Sequence, residues 1–486
     1  MKKALKILAF PLCCSLALSG IAGGGFLRTD RKALAETTAQ NAQELIDGAK
    51  NGDTVKLESG SSSALTVAAA QDITLDLNGN TLAATLTNNG KLKIVDSLGT
   101  GKISLSDNSA SDTTVAAILN KGELEVDGIS IEMTGSGAGS IMHGISNAAT
   151  GTLSVLDADI RVESTGTKWG FGIQNLGTIS CVAGGNIGAY ITNTGSGSNT
   201  LAINNTGTIE NISGGELYAE TLGTGYASAI RNNKGGVIKN ISGGTLTGEN
   251  GGSGKRENNV SCATAIRNEG GRIELVSGGT LYANVYNPAG TAKAFGIYNT
   301  SAGTIDEISG GRITGNSTAA EWSFGVWNEG TIGTISGGEL ISTIDHAKNA
   351  PNAIALAADG PVNSITGGTF YAASTTPTGG TFGLRTRGAG RIASITGGAY
   401  YIGKKNDNHY LYTENNGNTL GESYSLNAAS AKTGYRYVLP EGGKYTEEYD
   451  AADSLIQTGR TYDAGKTLLK EYNLIGTERS VARIGE

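Results

Sequence analysis

A pair of adjacent glycines recurs about every 30 residues through the middle of this chain. Each pair follows an apolar residue and one small residue, as in Ile-Ser-Gly-Gly at residues 212–215. The second glycines of the eight copies are Gly185, Gly215, Gly244, Gly279, Gly311, Gly338, Gly368 and Gly398. A repeat of this length is typical of proteins that stack one structural unit, and each unit here is too polar to bury a core alone. The sequence therefore predicts a stacked array.

A second motif has the same period and begins earlier in the chain. It consists of a small residue, an aliphatic residue, any residue and an asparagine, as in Ala-Ile-Arg-Asn at residues 229–232. Its asparagines are Asn120, Asn147, Asn175, Asn205, Asn232, Asn268, Asn299 and Asn328. Two degenerate copies begin at Ala353 and Gly383. Together the two motifs describe a unit of strand, Asn turn, strand, Gly-Gly turn and strand.

These units predict an all-β fold, a single-stranded right-handed parallel β-helix of about 11 coils over residues 75–402. Helical repeats are excluded, because each of the 75 glycines would cost a helix roughly 1 kcal/mol. Strand alternation directs Ile230 and Asn232 into the coil and Arg231 outward. The asparagines then either form a ladder of amide hydrogen bonds between coils or only provide left-handed turn residues. The sequence leaves both interpretations open.

The start of the array resembles a known superfamily. Ala42, Leu45, Ile46 and Ala49 have helical spacing, and Gly-Asp-Thr and an alternating strand follow at residues 52–57. A short helix here would cap the unpaired edge of the first coil. In these features the chain resembles the pectin-lyase-like right-handed parallel β-helix superfamily, and in its repetitive character it is similar to bacterial secreted or surface adhesin-like β-helix proteins. The resemblance implies a fold more than a function, because lyases, hydrolases and adhesins share this fold.

The chain divides into five predicted segments. Residues 1–35 join a basic start and an apolar run to an Ala-Leu-Ala cleavage site, which predicts a signal peptide and a secreted, extracellular or cell-surface protein. The apolar run is too short to span a membrane comfortably, so an integral membrane protein is not expected. Residues 36–74 form the cap helix and first strand, and residues 75–402 form the repeats. Closing strands are expected at 403–443 and a charged, weakly helical tail at 444–486.

Charge and cysteine content exclude several kinds of partner. Residues 1–35 carry six Lys or Arg and one Asp, so their removal changes the net charge from −7 to −12. Such an acidic surface does not attract nucleic acid. Cys181 and Cys262 occupy different positions of the repeat three coils apart, so we expect two buried thiols rather than a disulfide or a metal site. No cofactor is expected.

No group of residues with a recognisable catalytic pattern recurs on neighbouring coils, so the sequence favours a protein without catalytic residues. His143 takes the place of Phe or Leu in other coils and is predicted to be a core residue. Arg231 and Arg267 share an outward position on consecutive coils, beside Glu210, Glu274 and Asp306 of the following strands. Solvated ion pairs of little energetic value are the simpler interpretation of this set, and ligand binding is the alternative.

Two outward-facing patterns predict possible binding surfaces. The residue before the motif aliphatic is Gly or Ala in all ten copies, which predicts either a groove for an extended glycan or peptide or a tight corner of the strand. Tyr298, Trp322 and Trp327 cluster on two adjacent coils and, with Arg231 and Arg267, are the predicted ligand-binding residues. A weaker signal is an interrupted column three residues after the Gly-Gly pairs, formed by Tyr218, Tyr282, Tyr371 and Tyr401.

Three functions fit these observations. The first is a secreted or surface-associated adhesin-like or structural protein that acts by contact, without catalysis. The second, implied by the resemblance, is a polysaccharide lyase or glycoside hydrolase of the pectin-lyase-like fold. The third is a glycan-binding module that uses the Tyr298 and Trp327 surface. The expected partners are a host or environmental glycan or a surface protein.

Overall fold

The computed structural model describes thirteen segments of the solenoid and the strands that follow it. The segments are residues 41–109, 113–137, 139, 141–166, 169–194, 199–252, 262–288, 292–318, 322–345, 352–374, 381–386, 390–394 and 398, and the strands lie between Ala399 and Arg483. The predicted signal peptide, residues 1–35, lies outside the described residues.

The first part of the chain contains the single described helix and eleven strands. They are α1 (Ala42–Gly48), β1 (Thr54–Lys56), β2 (Leu65–Val67), β3 (Asp72–Asp76), β4 (Thr81–Leu82), β5 (Leu86–Asn88), β6 (Lys91–Val95), β7 (Lys102–Asp107), β8 (Thr114–Asn120), β9 (Glu123–Gly135), β10 (Ile141–Asn147) and β11 (Thr152–Ser164).

The central part repeats three strands per coil. The strands are β12 (Trp169–Asn175), β13 (Thr178–Val182), β14 (Asn186–Ile191), β15 (Asn199–Asn205), β16 (Thr208–Ile212), β17 (Glu216–Thr221), β18 (Tyr226–Asn233), β19 (Val237–Ile241), β20 (Thr245–Asn250), β21 (Cys262–Glu269), β22 (Arg272–Val276), β23 (Thr280–Val285), β24 (Lys293–Asn299), β25 (Thr304–Ile308), β26 (Arg312–Ser317), β27 (Ser323–Asn328), β28 (Thr331–Ile335), β29 (Glu339–Ile344), β30 (Ala353–Ala358), β31 (Pro361–Ile365), β32 (Thr369–Ser374), β33 (Thr381–Thr386), β34 (Arg391–Ile392) and β35 (Ala399–Gly403).

Seven further strands complete the chain. They are β36 (His409–Thr413), β37 (Tyr424–Asn427), β38 (Tyr437–Pro440), β39 (Glu447–Tyr449), β40 (Leu455–Tyr462), β41 (Leu468–Tyr472) and β42 (Arg479–Arg483). The expectation of weak helicity in residues 444–486 is therefore wrong, because β-branched and aromatic residues such as Ile456, Thr458 and Tyr462 favour strands. Strand β42 pairs antiparallel with β35.

The strands of the repeats form three parallel faces of a β-solenoid, as predicted. Face 1 is a sheet of 13 strands, β2, β5, β8, β10, β12, β15, β18, β21, β24, β27, β30, β33 and β36. Face 2 continues after each Asn turn, as in β13, β16, β19, β22, β25 and β28. Face 3 follows each Gly-Gly turn, as in β14, β17, β20, β23, β26, β29 and β32. The long strands β9 and β11 run through both faces 2 and 3.

The coil count differs slightly from the predicted 11. The pairing within the three faces is parallel throughout the described strands, so each side chain meets its counterpart one coil away. For example, Ile230 pairs with Ile266, and Asn232 pairs with Asn268. Repeated residues therefore form columns along the solenoid axis, about 4.8 Å apart. The handedness of the coil stays a prediction.

The asparagines of the second motif form one continuous ladder inside the stack. In each step, Nδ2 of one asparagine donates to Oδ1 of the next at 2.7–2.9 Å, from Asn120 to Asn328. All of these side chains are fully buried, so each amide needs such partners. Asn88 extends the ladder by one coil at 2.8 Å, and the motif did not reveal it because Thr85 replaces the Gly or Ala. Ala358 and Thr386 occupy this position after Asn328.

The Gly-Gly pairs are required by the corner between faces 2 and 3. The second glycine of each of the eight pairs has a φ between +76° and +107°, a conformation that other residues rarely adopt. At the first position, a Cβ on Gly243 would collide with the carbonyl oxygen of Ser213 in the preceding coil. Two glycines are therefore needed at this corner, one for its dihedral angle and one for the close approach of the coils.

The Gly and Ala column of face 1 lies in a tight corner, and the predicted groove there is wrong. All of its members are buried, from Ala117 through Gly383. A Cβ on Gly172 would lie 2.6 Å from Cγ2 of Ile187 and 2.7 Å from the carbonyl oxygen of Ala202. The pairing of β27 with β30 also corrects one copy of the motif, because Gly325 is matched by Ala355 and not by Ala353. The small residues are inside the coil because the strand bends there.

Helix α1 packs on the first coil, as the helical spacing suggests. Ile46 is fully buried in the main core, and Ala42, Leu45 and Ala49 pack partly buried against it. Gln71 donates from Nε2 to the carbonyl oxygen of Ile46 at 2.6 Å, which fixes the end of the helix to the coil. The open edge of the solenoid is thus covered at its N-terminal end.

Candidate functional site

The predicted ligand-binding arginines lie on the outer surface of face 1 and are held by one carboxylate. Arg231 Nε lies 2.6 Å from Glu269 Oε2, and Arg267 Nη2 lies 3.5 Å from Glu269 Oε1. Burial alone would raise the pKa of Glu269, but the charges of Arg267 and Arg231 outweigh it and lower that pKa below its ordinary value. The side chain of Arg267 is only 12% exposed. An incoming ligand could bind either guanidinium only by breaking its contact with Glu269.

Tyr298 and Trp327 are buried in a block of four stacked rings. The centroids of Tyr298 and Trp327 are 4.9 Å apart, and Phe295 and Phe324 complete the block at 5.1 Å. Tyr298 donates its hydroxyl to Glu329 at 2.8 Å, and Trp327 donates Nε1 to Asp359 at 3.0 Å. The exposed fractions are 8% for Tyr298 and 4% for Trp327. The flat faces of these rings are occupied by each other.

Cations complete the packing along the same surface. The guanidinium carbon of Arg267 lies 5.1 Å from the ring centre of Tyr298, and that of Arg385 lies 4.7 Å from the ring centre of Trp322. Trp322 is half-buried and lies 6.1 Å from Phe324. The structure therefore brings the five predicted ligand-binding residues to one surface, but as a packed cation–aromatic layer.

The predicted group of Arg231 and Arg267 with three acids does not form. The acids lie on face 2, where Glu210 pairs with Lys239 at 2.7 Å and Asp306 pairs with Arg272 at 2.6 Å. Glu274 also pairs with Arg272, at 3.4 Å. The Asn turn changes the direction of the chain between faces 1 and 2, so the outward side chains of the two faces diverge.

His143 is a buried member of the outer column of face 1, as predicted for a core residue. Its ring stacks on Phe171 at 5.2 Å, and it is 5% exposed. Neither ring nitrogen has a hydrogen-bond partner among the described residues. Burial lowers the pKa of His143 to about 4. Cys181 and Cys262 are buried thiols that are not joined in a disulfide.

A pocket lies on the outer surface of face 3. It has a volume of about 670 Å³ and spans strands β23, β26, β29 and β32. One row of its lining is Tyr282, Thr314, Ile341 and Tyr371 in consecutive coils. The two tyrosines are half-buried and stand three strand spacings apart, roughly 14 Å. They are the walls, and the shorter side chains of Thr314 and Ile341 are the floor.

Polar groups border this floor on both sides. On one side, Arg312 pairs with Glu339 at 2.6 Å, and both side chains are about half exposed. On the other side, Thr343 Oγ1 donates to Asn316 Oδ1 at 2.7 Å, and Asn316 Nδ2 donates to Asn284 Oδ1 at 3.0 Å. The pocket combines two aromatic walls with a row of uncharged hydrogen-bonding groups.

A second, smaller pocket lies on the same face in earlier coils. Its volume is about 350 Å³, and it is lined by Asp159, Arg161, Gly188, Tyr190, Glu216 and Tyr218 among others. Tyr190 and Tyr218 stack at 5.2 Å, and the guanidinium carbon of Arg161 lies 4.1 Å from the ring centre of Tyr190. Burial and a hydrogen bond to Glu249 raise the pKa of Tyr218, so its hydroxyl stays a donor.

The weaker of the two aromatic signals in the sequence thus marks the candidate site. Tyr218, Tyr282 and Tyr371 line the two pockets, whereas Tyr401 lies where no side chain is described. The signal was the interruption of the column, because Thr314 and Ile341 leave space between the rings of Tyr282 and Tyr371. No group of acidic, histidine or cysteine side chains that could hold a metal ion is found within the described residues.

Comparisons with known proteins assign no family to this chain, so its class is stated by its fold alone. No protein-family model, no curated protein and no solved structure gives a significant match to this chain. The chain is an all-β parallel β-solenoid. Within the part of the chain that the structure describes, no helix is long and apolar enough to cross a membrane.

Proposed function

We propose that this protein is a secreted or cell-surface-associated contact protein, adhesin-like and non-catalytic, which binds carbohydrate on the outer surface of face 3. The observation that carries the proposal is the 670 Å³ pocket between Tyr282 and Tyr371. Ligand pockets of this size combine apolar or aromatic surface with a few polar groups that fix orientation. The proposed location depends on the signal peptide predicted at residues 1–35, and the adhesin-like character on the resemblance of the repeats.

Carbohydrate is the ligand class that this lining favours. A tyrosine ring offers a flat apolar surface and a hydroxyl, and sugar rings present C–H groups on their faces and hydroxyls at their edges. Asn316 and Thr343 lie on the two strands between the tyrosines, and Thr369 lies on the strand of Tyr371; all three offer uncharged donors and acceptors. A stable protein partner would need a larger contact surface than this pocket, because specific protein interfaces bury about 800 Å² on each side.

The lining of the larger pocket supports a role without catalysis. Glycoside hydrolases use two carboxyl groups, roughly 5–9.5 Å apart. Glu339 is the acidic residue among the described residues that line this pocket, and its carboxylate is paired with Arg312.

A second candidate function is glycoside hydrolysis in the smaller pocket. Asp159 and Glu216 line it from strands β11 and β17, two strand spacings apart. Their Cα atoms are therefore separated by roughly 9.6 Å, close to the upper end of the spacing of about 6.5–9.5 Å that inverting hydrolases use between carboxyl groups.

The test is binding of the chain from residue 36 onward to a broad glycan panel, with release of sugar products followed in the same samples. We expect saturable binding without products, and a loss of about tenfold or more in affinity for Tyr282→Ala together with Tyr371→Ala. Arg272→Ala, on face 2, is the control for a surface change outside the pocket. Absence of binding to every glycan contradicts the proposal. Release of products that Asp159→Asn abolishes would instead establish the second candidate.

A further inference from the structure

We infer that the carbohydrate bound on face 3 is an uncharged, unbranched polysaccharide chain that lies along the solenoid axis, across both pockets. This inference rests on the proposed function and specifies its ligand. Three features carry it: the shared columns of the two pockets, a row of hydrogen bonds between them, and the charges of their linings.

The two pockets are parts of one surface because the same register columns line them. Arg161, Gly188 and Tyr218 pair through consecutive strands, and the column continues through Thr247 to Tyr282. Thr314, Ile341 and Tyr371 follow in the larger pocket. From β11 to β32 this column covers seven strand spacings, roughly 34 Å. A single sugar fills a small part of that length, whereas a chain can contact all of it.

Hydrogen bonds join the pockets along the same direction. The polar row consists of Thr343, Asn316, Asn284, Glu249 and Tyr218, each bonded to the next at 2.7–3.1 Å. These residues belong to five consecutive strands of face 3, from β29 back to β17. The row runs parallel to the axis, so a ligand that uses it must present hydroxyls repeatedly in that direction. A linear polysaccharide has this property.

The charges of the lining favour an uncharged chain. In the larger pocket Arg312 is neutralised by Glu339. In the smaller pocket Arg161 is paired with Glu163 at 3.0 Å, while Asp159 and Glu216 remain in the lining. The polar row adds the carboxylate of Glu249. An acidic polysaccharide would meet carboxylates along the surface, and none of the described residues of the two linings offers an unpaired cation to compensate, so the surface selects against it.

The experiment is a chain-length series measured by calorimetry on the chain from residue 36 onward. The probes are linear cello-, xylo- and manno-oligosaccharides from the disaccharide to the octasaccharide, with oligogalacturonates of the same lengths as the acidic counterpart. We expect at least one uncharged series to bind with an affinity that rises about tenfold or more between disaccharide and octasaccharide. The oligogalacturonates should bind more weakly at every length.

Variants separate the two ends of the surface. Tyr218→Ala should lower the affinity for the octasaccharide by about threefold or more and leave that for the trisaccharide unchanged, because only the longer chain reaches the smaller pocket. Thr343→Ala should weaken both, and Thr334→Ala, in the same coil on face 2, is its matched control. Thermal unfolding of each variant shows whether it is folded.

The outcomes distinguish this inference from the proposed function. An affinity that does not change with length, or binding confined to acidic or branched glycans, overturns the axial uncharged chain and leaves carbohydrate binding intact. If no binding is detected to these series or to any member of the glycan panel, both the axial-chain inference and the proposed function are contradicted.

Discussion

The outer surfaces of faces 1 and 3 both carry aromatic residues, but the rings around Trp327 on face 1 stack in adjacent coils, whereas Tyr282 and Tyr371 on face 3 leave space between them. On face 1, rings follow each other in adjacent coils and stack at 4.9–5.1 Å, as with Tyr298 and Trp327. On face 3, two smaller residues separate Tyr282 from Tyr371. The spacing of coils in a β-solenoid is close to the stacking distance of aromatic rings. An unbroken aromatic column therefore stabilises the fold, whereas an interrupted one leaves a pocket.

The comparison also shows how the two surfaces use charge. On face 1, Arg267 is 12% exposed and packs over the rings of Tyr226 and Tyr298. On face 3, Arg312 and Glu339 form an exposed pair beside the pocket. A partly desolvated cation over rings contributes about 2 kcal/mol or more, while an exposed pair contributes about 0–1 kcal/mol. Substitutions should therefore change stability on face 1 and binding on face 3.

The largest difference between the faces should appear in Trp327→Ala. Removal of this buried ring leaves a cavity beside Tyr298 and Phe324, at a cost of about 3–5 kcal/mol in the free energy of unfolding. Tyr371→Ala, at a half-buried ring on face 3, should cost about 1 kcal/mol or less. The measurement is urea-induced unfolding of each variant. The midpoint concentration should fall, while the slope of unfolding free energy against urea concentration stays unchanged. Equal losses for the two variants would contradict the division between a structural and a binding surface.

The second prediction concerns His143, which extends the stack of face 1 with an ionisable ring. The unfolded chain binds a proton at this histidine near pH 6.5, whereas the folded chain resists protonation until pH falls to about 4. Stability that is fully present above pH 6.5 is therefore lost as the pH falls from 6.5 to 4, by up to about 3 kcal/mol.

His143→Phe is the test, because it matches Phe171 in the next coil and cannot be protonated. The difference in unfolding free energy between the two chains should grow from pH 7 to pH 4. A difference that is constant over this range would show that His143 titrates as an exposed residue does.

The solenoid could be predicted from the sequence because the residues that repeat are the ones that each corner of the coil physically requires. Gly244 and its equivalents need a positive φ, and the buried asparagines need amide partners in neighbouring coils. The ladder and the left-handed turn were alternatives in the sequence, and the structure supports the ladder, because none of the eight ladder asparagines has a positive φ. Asn175 donates to Asn205 and also lies 3.2 Å from the carbonyl oxygen of Gly177.

The candidate site was less predictable because alternation fails where a strand bends. Gly296 and the side chain of Ile297 both face the inside of the coil. Phe295 and Tyr298 therefore lie on the same outer surface, with their ring centroids 5.1 Å apart. A period of two places Phe295 and Tyr298 on opposite sides and therefore hides the stack. Residues that were predicted to be an exposed binding surface became a packed layer for this reason.

The third prediction concerns a substitution that gives face 3 aromatic rings in adjacent coils, like those of face 1. Ile341→Tyr adds a ring directly next to Tyr371 and closes half of the gap to Tyr282. We expect carbohydrate affinity to fall about tenfold, equivalent to about 1.4 kcal/mol, while stacking leaves stability unchanged or raises it by about 0.5–1.5 kcal/mol. Ile341→Thr, which reproduces Thr314 of the preceding coil, is the control and should retain binding. Retained binding in the tyrosine variant would mean that the gap is not the binding site.

The smallest effect is expected where two exposed ion pairs of the same kind lie on different faces. Arg312 and Glu339 border the pocket, and Arg272 and Asp306 lie on face 2, each pair joining adjacent coils at 2.6 Å. Arg312→Ala and Arg272→Ala should each leave the unfolding free energy nearly unchanged, because both pairs are exposed. Only Arg312→Ala should alter carbohydrate affinity, by a few-fold, since it alone removes a donor from the pocket and leaves Glu339 unpaired. Equal affinities of the two variants would place the ligand away from this side of the pocket, and would leave Asn316 and Thr343 as its polar contacts.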